Sequence, residues 1–238
     1  MKLDILAFGA HPDDVELGCG GTIAKEISLG RKVGIIDLTG GELGTRGSAE
    51  IRAVEAAKAA KILGVVVREN LWMDDGFFVN DQASQIEVIE MIRKYRPEIV
   101  LCNAVEDRHI DHGRGSKLVS DACFLSGLQK IKTYMNDEQQ AHWRPKVVYH
   151  YLQWNDAKPD FVVDITGFND IRLQAILAYD SQFYNANSTA VETPIATKNF
   201  LDSLSYRTAN FGRLIGTDHA EGFTTERVLA IDNLGDLQ

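Results

Sequence analysis

Leu3-Asp4-Ile5-Leu6-Ala7-Phe8-Gly9-Ala10-His11-Pro12-Asp13-Asp14 is the stretch on which the reading of the chain turns. Leu3–Gly9 is a short apolar run with few polar residues, the pattern of a strand covered on both faces. Directly after it, one turn of chain carries an imidazole and two carboxylates. A buried strand ending in such a polar turn predicts a parallel α/β sheet, because ligands in these sheets bind beyond the carboxyl ends of the strands.

Working outward, strand-like and helix-like segments alternate. Glu16–Leu29 reads as a helix stopped at Gly30, and Lys32–Leu38 as a second strand. Ser48–Leu63 reads as an alanine-rich helix with Ser48 as its cap. Val65–Val67 starts a third strand that runs toward Leu71, Asp81–Tyr95 is an amphipathic helix, and Pro97–Cys102 is a fourth strand. This order predicts a single α/β domain over 1–238: a Rossmann-like, mostly parallel sheet with helices on both faces. The second half is less regular. Helices are expected over Gly113–Leu128, Gly167–Tyr179 and Thr197–Phe211, and strands over Lys146–Gln153 and Phe161–Ile165. No internal repeat, low-complexity tract or linker interrupts the chain.

Composition narrows the class. The 238 residues are 45% hydrophobic and 25% charged, values of a soluble globular protein. The formal net charge of -9 excludes a backbone-neutralising nucleic-acid binder as the first reading. It does not exclude an anionic small molecule, since a few arginines focused in one cleft outweigh the global sign. Cys19, Cys102 and Cys123 form no CxxC pair and are odd in number, so buried free thiols in a reducing compartment are expected. No apolar stretch approaches the length of a membrane span. No signal peptide is visible, and the expected location is the cytoplasm.

The residues that carry chemistry all follow strands: His11–Asp14, Thr39–Arg46 and Asn103–His112. If His11 and Asp14 face the same way, they make two ligands of a zinc-type site, and Asp107-Arg108-His109-Ile110-Asp111-His112 supplies the third. Asp13 is then left beside the metal, free to act as a base. Taken singly, His-Pro-Asp-Asp reads equally as a helix cap, and His-x-Asp-His as a solvated turn. Their joint occurrence after parallel strands favours the metal site. Gly18-Cys19-Gly20-Gly21 invites a dinucleotide reading with Asp37 as ribose reader. The third glycine of GxGxxG would have to fall at Ile23, however, and the run lies inside a helix. Close packing is its expected role. A nucleotide-binding module without chemistry is disfavoured for the same reason.

Ala10-His11-Pro12-Asp13-Asp14 and His109-x-Asp111-His112 together resemble the signature of the LmbE-like (PIG-L) deacetylases. Gly41-Glu42-Leu43-Gly44-Thr45-Arg46-Gly47, Arg52-x-x-Glu55-Ala56, Ser181-Gln182-Phe183 and Ala220-Glu221-Gly222-Phe223 extend the resemblance toward members of the bacillithiol pathway. Those members deacetylate N-acetylglucosaminyl-malate. The resemblance implies zinc ligation by His11, Asp14 and His112, with Fe(II), Mn or Co suited to the same donors. It implies Asp13 as general base, His109 as a cationic group facing the developing oxyanion, and Asp111 as the acid that orients His109 and raises its pKa. The implied substrate is a small anionic amino-sugar conjugate, and the implied assembly a homo-oligomer, some members being hexamers. Arg52 and Arg108, then Arg46, are expected to meet malate carboxylates, and Glu42 and Thr45 the sugar hydroxyls. No role for His219 or Glu221 follows from the sequence.

Overall fold

A computed structural model describes residues 1–236. Five strands run parallel at its centre: β1 (Ile5–Gly9), β2 (Val33–Thr39), β3 (Val67–Met73), β4 (Ile99–Cys102) and, after a small hairpin of β5 (Tyr134–Met135) and β6 (Glu138–Gln139), β7 (Val147–Tyr151). Two more strands, β8 (Phe161–Asp164) and β9 (Ala220–Thr225), complete a seven-stranded sheet in the order β3-β2-β1-β4-β7-β9-β8. β9 runs antiparallel to both of its neighbours. The expected α/β sheet is therefore mixed only at its β8–β9 edge.

The alternation of β1 explains its continuous apolar run. Ile5 and Ala7 join the core beneath α1 (Asp14–Ser28), α2 (Ala49–Leu63), α5 (Asn169–Leu177) and α6 (Lys198–Ile215). Leu6 and Phe8 join the opposite core beneath α3 (Gln82–Tyr95) and α4 (Ile110–Ser126). Both faces are buried, so neither carries polar side chains. Ser48 caps α2 as expected, accepting a hydrogen bond from the Ile51 N–H. The three cysteines are free and buried. Among the described residues no helix is long and apolar enough to cross a membrane.

The glycine run in α1 is a packing device. A Cβ on Gly18 would lie 2.1 Å from the Tyr151 ring, and one on Gly21 would lie 2.7 Å from Ile165. The helix breaks at Cys19 (φ -148°, ψ 20°), which leaves the amides of Gly21 and Thr22 without helical partners. Glu221 of β9 accepts both, at 2.9 and 2.7 Å, and pairs with the buried Arg172 at 3.1 Å. This is the role of Glu221 that the sequence left open. A buried glutamate and a glycine in one short segment also explain why β9 does not read as a strand.

Candidate metal centre

The strand order reverses between β2-β1 and β4-β7, and both chemical loops leave the sheet at that point. One follows β1 and the other follows β4. This is the crevice where open α/β sheets bind ligands. Asn103 locks the two loops together. Its Oδ1 accepts from the Ala10 N–H at 2.9 Å, and its Nδ2 donates to Asp14 at 3.0 Å.

Asp14 lies between two imidazoles. His11 Nδ1 is 3.4 Å from one carboxylate oxygen, and His112 Nε2 is 3.2 Å from the other. The outward nitrogens of both rings meet further carboxylates. His11 Nε2 faces Asp75 at 3.0 Å and Asp111 at 3.4 Å, and His112 Nδ1 faces Asp107 at 2.8 Å. A carboxylate at the outer nitrogen holds a proton there, so that a bound ion would meet the lone pair of the inner nitrogen. Gln153 donates to Asp14 at 2.6 Å. The donor set fits a divalent cation: two oriented imidazoles, one anionic oxygen ligand and a shell of compensating carboxylates. Burial lowers the His112 pKa, but Asp14 and Asp107 outweigh it and raise it to about 9. Two further donor groups share His11, each with its ligand atoms within 4.8 Å of one another: the ring nitrogens of His11, His109 and His112, and His11 with the carboxylates of Asp75 and Asp111.

Asp13 sits at φ 118°, a left-handed conformation that costs a non-glycine residue about 1–3 kcal/mol. The strain turns its carboxylate away from Asp14 and toward Arg52, which donates to Oδ2 at 2.9 Å and also bonds the Pro12 carbonyl. Oδ1 has no partner among the described residues. Burial, opposed by Arg52, raises the Asp13 pKa to about 7.

His109 and Asp111 are arranged differently from expectation. Asp111 does not pair with His109: its carboxylate accepts from the Gly76 N–H at 2.7 Å and from Arg114 at 2.7 Å, and faces His11. His109 caps α4, its Nδ1 accepting from the Asp111 N–H at 3.3 Å. Burial and the neighbouring His11 and His112 lower its pKa, against the weaker pull of Asp14 and Asp111. With Nδ1 accepting, the ring carries its hydrogen on Nε2.

The remaining expected contacts divide. Arg52 is buried and occupied by Asp13 and Pro12, not open to a ligand. Arg46 is buried and donates to Ser188 Oγ at 2.9 Å. Glu42 accepts from the Asp75 N–H at 2.7 Å, bracing the loop that aims Asp75 at His11. Thr45 is exposed and unbonded among the described residues, and the exposed Arg108 guanidinium stacks over Trp154 at 4.4 Å. Asp75 was not legible in the sequence. It lies on an unrelated strand end, and only the fold brings it to His11.

An oriented two-histidine, one-carboxylate cluster at a switch point, flanked by a buried carboxylate of near-neutral pKa, is the geometry of a metal-dependent hydrolase. The sequence profile described as PIG-L, GlcNAc-PI de-N-acetylase, matches residues 6–123. Diacetylchitobiose deacetylase of Thermococcus kodakarensis is 30% identical over 190 residues, covering 75% of this chain and 70% of its own. Mycothiol S-conjugate amidase of Streptomyces coelicolor is 26% identical over 189 residues, covering 67% and 64%. A solved structure of a conserved protein from Thermus thermophilus superposes with a TM-score of 0.85 at 33% identity, covering 97% of this chain and 98% of that one. The chain belongs to the PIG-L (LmbE-like) deacetylase family.

Proposed function

We propose that this protein is a zinc-dependent N-deacetylase of an N-acetylglucosamine conjugate, and that its substrate is N-acetylglucosaminyl-L-malate of bacillithiol biosynthesis. The observation that carries the reading is the pair of imidazoles whose outer nitrogens are held by carboxylates and whose inner nitrogens converge on Asp14. His11, Asp14 and His112 would hold the metal, which supplies Lewis acidity toward the acetyl oxygen and toward water. Asp13 Oδ1, left open while Arg52 engages Oδ2, takes the proton of the attacking water and returns it to the departing amine. A pKa of about 7 suits both halves of that transfer. His109 donates from Nε2 to the oxygen on which charge develops.

The test is acetate release by zinc-loaded protein from N-acetylglucosaminyl-L-malate, N-acetylglucosamine and diacetylchitobiose, measured side by side. The malate conjugate is expected to have the highest kcat/KM. Preference for either neutral sugar would leave the deacetylase and discard the malate reading. Cleavage of the amide in a thiol conjugate, with no acetate released, would replace it with the amidase activity that the Streptomyces relative's name describes.

A further inference from the structure

A cavity of about 220 Å³ lies between Trp154 and the start of α6. One wall is the Trp154 indole. The other is the first turns of α6: Asn199, Phe200, Ser203 and Arg207 recur at the three- and four-residue spacing of one helix face. The cavity adjoins the reaction centre through consecutive residues. Gln153 bonds Asp14, and the next residue, Trp154, donates its backbone N–H to Asp107 at 3.3 Å, the carboxylate that holds His112. A group bound against Trp154 is therefore within the span of one sugar conjugate from Asp14.

The lining is suited to an anion on an apolar support. Trp154 stacks on Phe200 with ring centroids 5.3 Å apart. Arg207 is half-buried, and its one hydrogen bond among the described residues goes to the Trp154 carbonyl. Asp156 and Asp107 act on it through space without reaching ion-pair contact. Asn199 is exposed, with no side-chain bond among the described residues. A guanidinium with free donors on the wall of a cavity recognises a carboxylate through paired N–H groups. Of the other candidates, Arg52 is taken up by Asp13, Arg46 donates to Ser188, and Arg108 is exposed with its guanidinium over the Trp154 ring.

We propose that this cavity is the subsite for the acidic end of the substrate, with Arg207 as the residue that selects a carboxylate-bearing aglycone. The proposal rests on the deacetylase reading above. The experiment compares wild type, Arg207→Gln and Asn199→Asp on N-acetylglucosaminyl-L-malate and on methyl N-acetylglucosaminide. Asn199→Asp removes no bond and puts a repelling charge in the cavity. It therefore remains informative should Arg207→Gln unfold. Each variant is expected to raise KM for the malate conjugate at least about tenfold, the ratio that corresponds to roughly 1.4 kcal/mol, with KM for the neutral glycoside unchanged. No change, or equal changes on both substrates, overturns the subsite. If wild type turns over neither substrate, the deacetylase reading fails separately, and titration with L-malate alone then decides. Binding weakened by both variants supports the subsite, and binding insensitive to them overturns it.

Discussion

At the residue scale, neighbouring aspartates meet different partners because the turn points them apart. Asp14 is flanked by two imidazoles, whereas Asp13 is buried against a guanidinium. Asp14→Asn is therefore expected to lose metal, measured by elemental analysis of the purified protein. Asp13→Asn is expected to keep metal and lose turnover by about 10²–10⁴-fold. The opposite pattern would exchange the two roles. Asp75 faces the outer nitrogen of His11. Asp75→Asn removes the anionic acceptor at 3.0 Å and is expected to weaken metal affinity about 10–100-fold, read by competition against a chelator. Affinity equal to wild type would assign the orientation of His11 to Asp111 alone.

At the element scale, α1 is shaped by what it passes rather than by its own propensity. Its glycines let the helix approach Tyr151, whose hydroxyl is tied to the Phe8 carbonyl at 2.9 Å and whose ring cannot easily swing aside. Gly18→Ala should overpack this contact and cost roughly 1–3 kcal/mol, against a small gain in helix propensity. The cost should appear as a lower midpoint in denaturant with an unchanged slope. An unchanged midpoint would show that Tyr151 relocates freely. The break at Cys19 is bridged by Glu221 from the far edge of the sheet, so α1 and β9 are coupled although their sequence signals are 200 residues apart.

At the scale of the whole molecule, His150 joins β7, α4 and the segment after β9. Its Nδ1 lies 3.0 Å from the Asn103 carbonyl, 2.8 Å from Ser116 Oγ and 3.3 Å from Cys102 Sγ, and its Nε2 lies 3.0 Å from Glu226. A carbonyl and a carboxylate can only accept, so both ring nitrogens donate and the ring is charged. Burial lowers its pKa, but Cys102, Glu226 and Asn103 together raise it to about 10. With the folded value above the unfolded value of about 6.5, this contribution to stability is complete below about pH 6.5. It fades as pH rises toward about 10. Denaturant unfolding of wild type and His150→Gln across that window should give a steeper decline for wild type. Parallel profiles would mean that the ring is neutral.

Much of this was legible in the sequence because local rules decide it. The apolar runs of β1, β2 and β4 alternate between two cores, and the polar turns at their ends follow from the parallel topology. That His11 and Asp14 would meet the Asp107–His112 segment was legible for the same reason, since strand-end placement is a property of the chain itself, whereas singling out His112 within that segment rested on the family resemblance. Tertiary structure alone decided which groups meet from distant segments. Asp75 turns to His11, Asp111 faces His11 rather than His109, Arg52 closes on Asp13, and Arg207 opens onto a cavity with Trp154. These pairings are set by packing, strand order and burial, which place side chains within hydrogen-bond reach without leaving a periodic trace in the sequence.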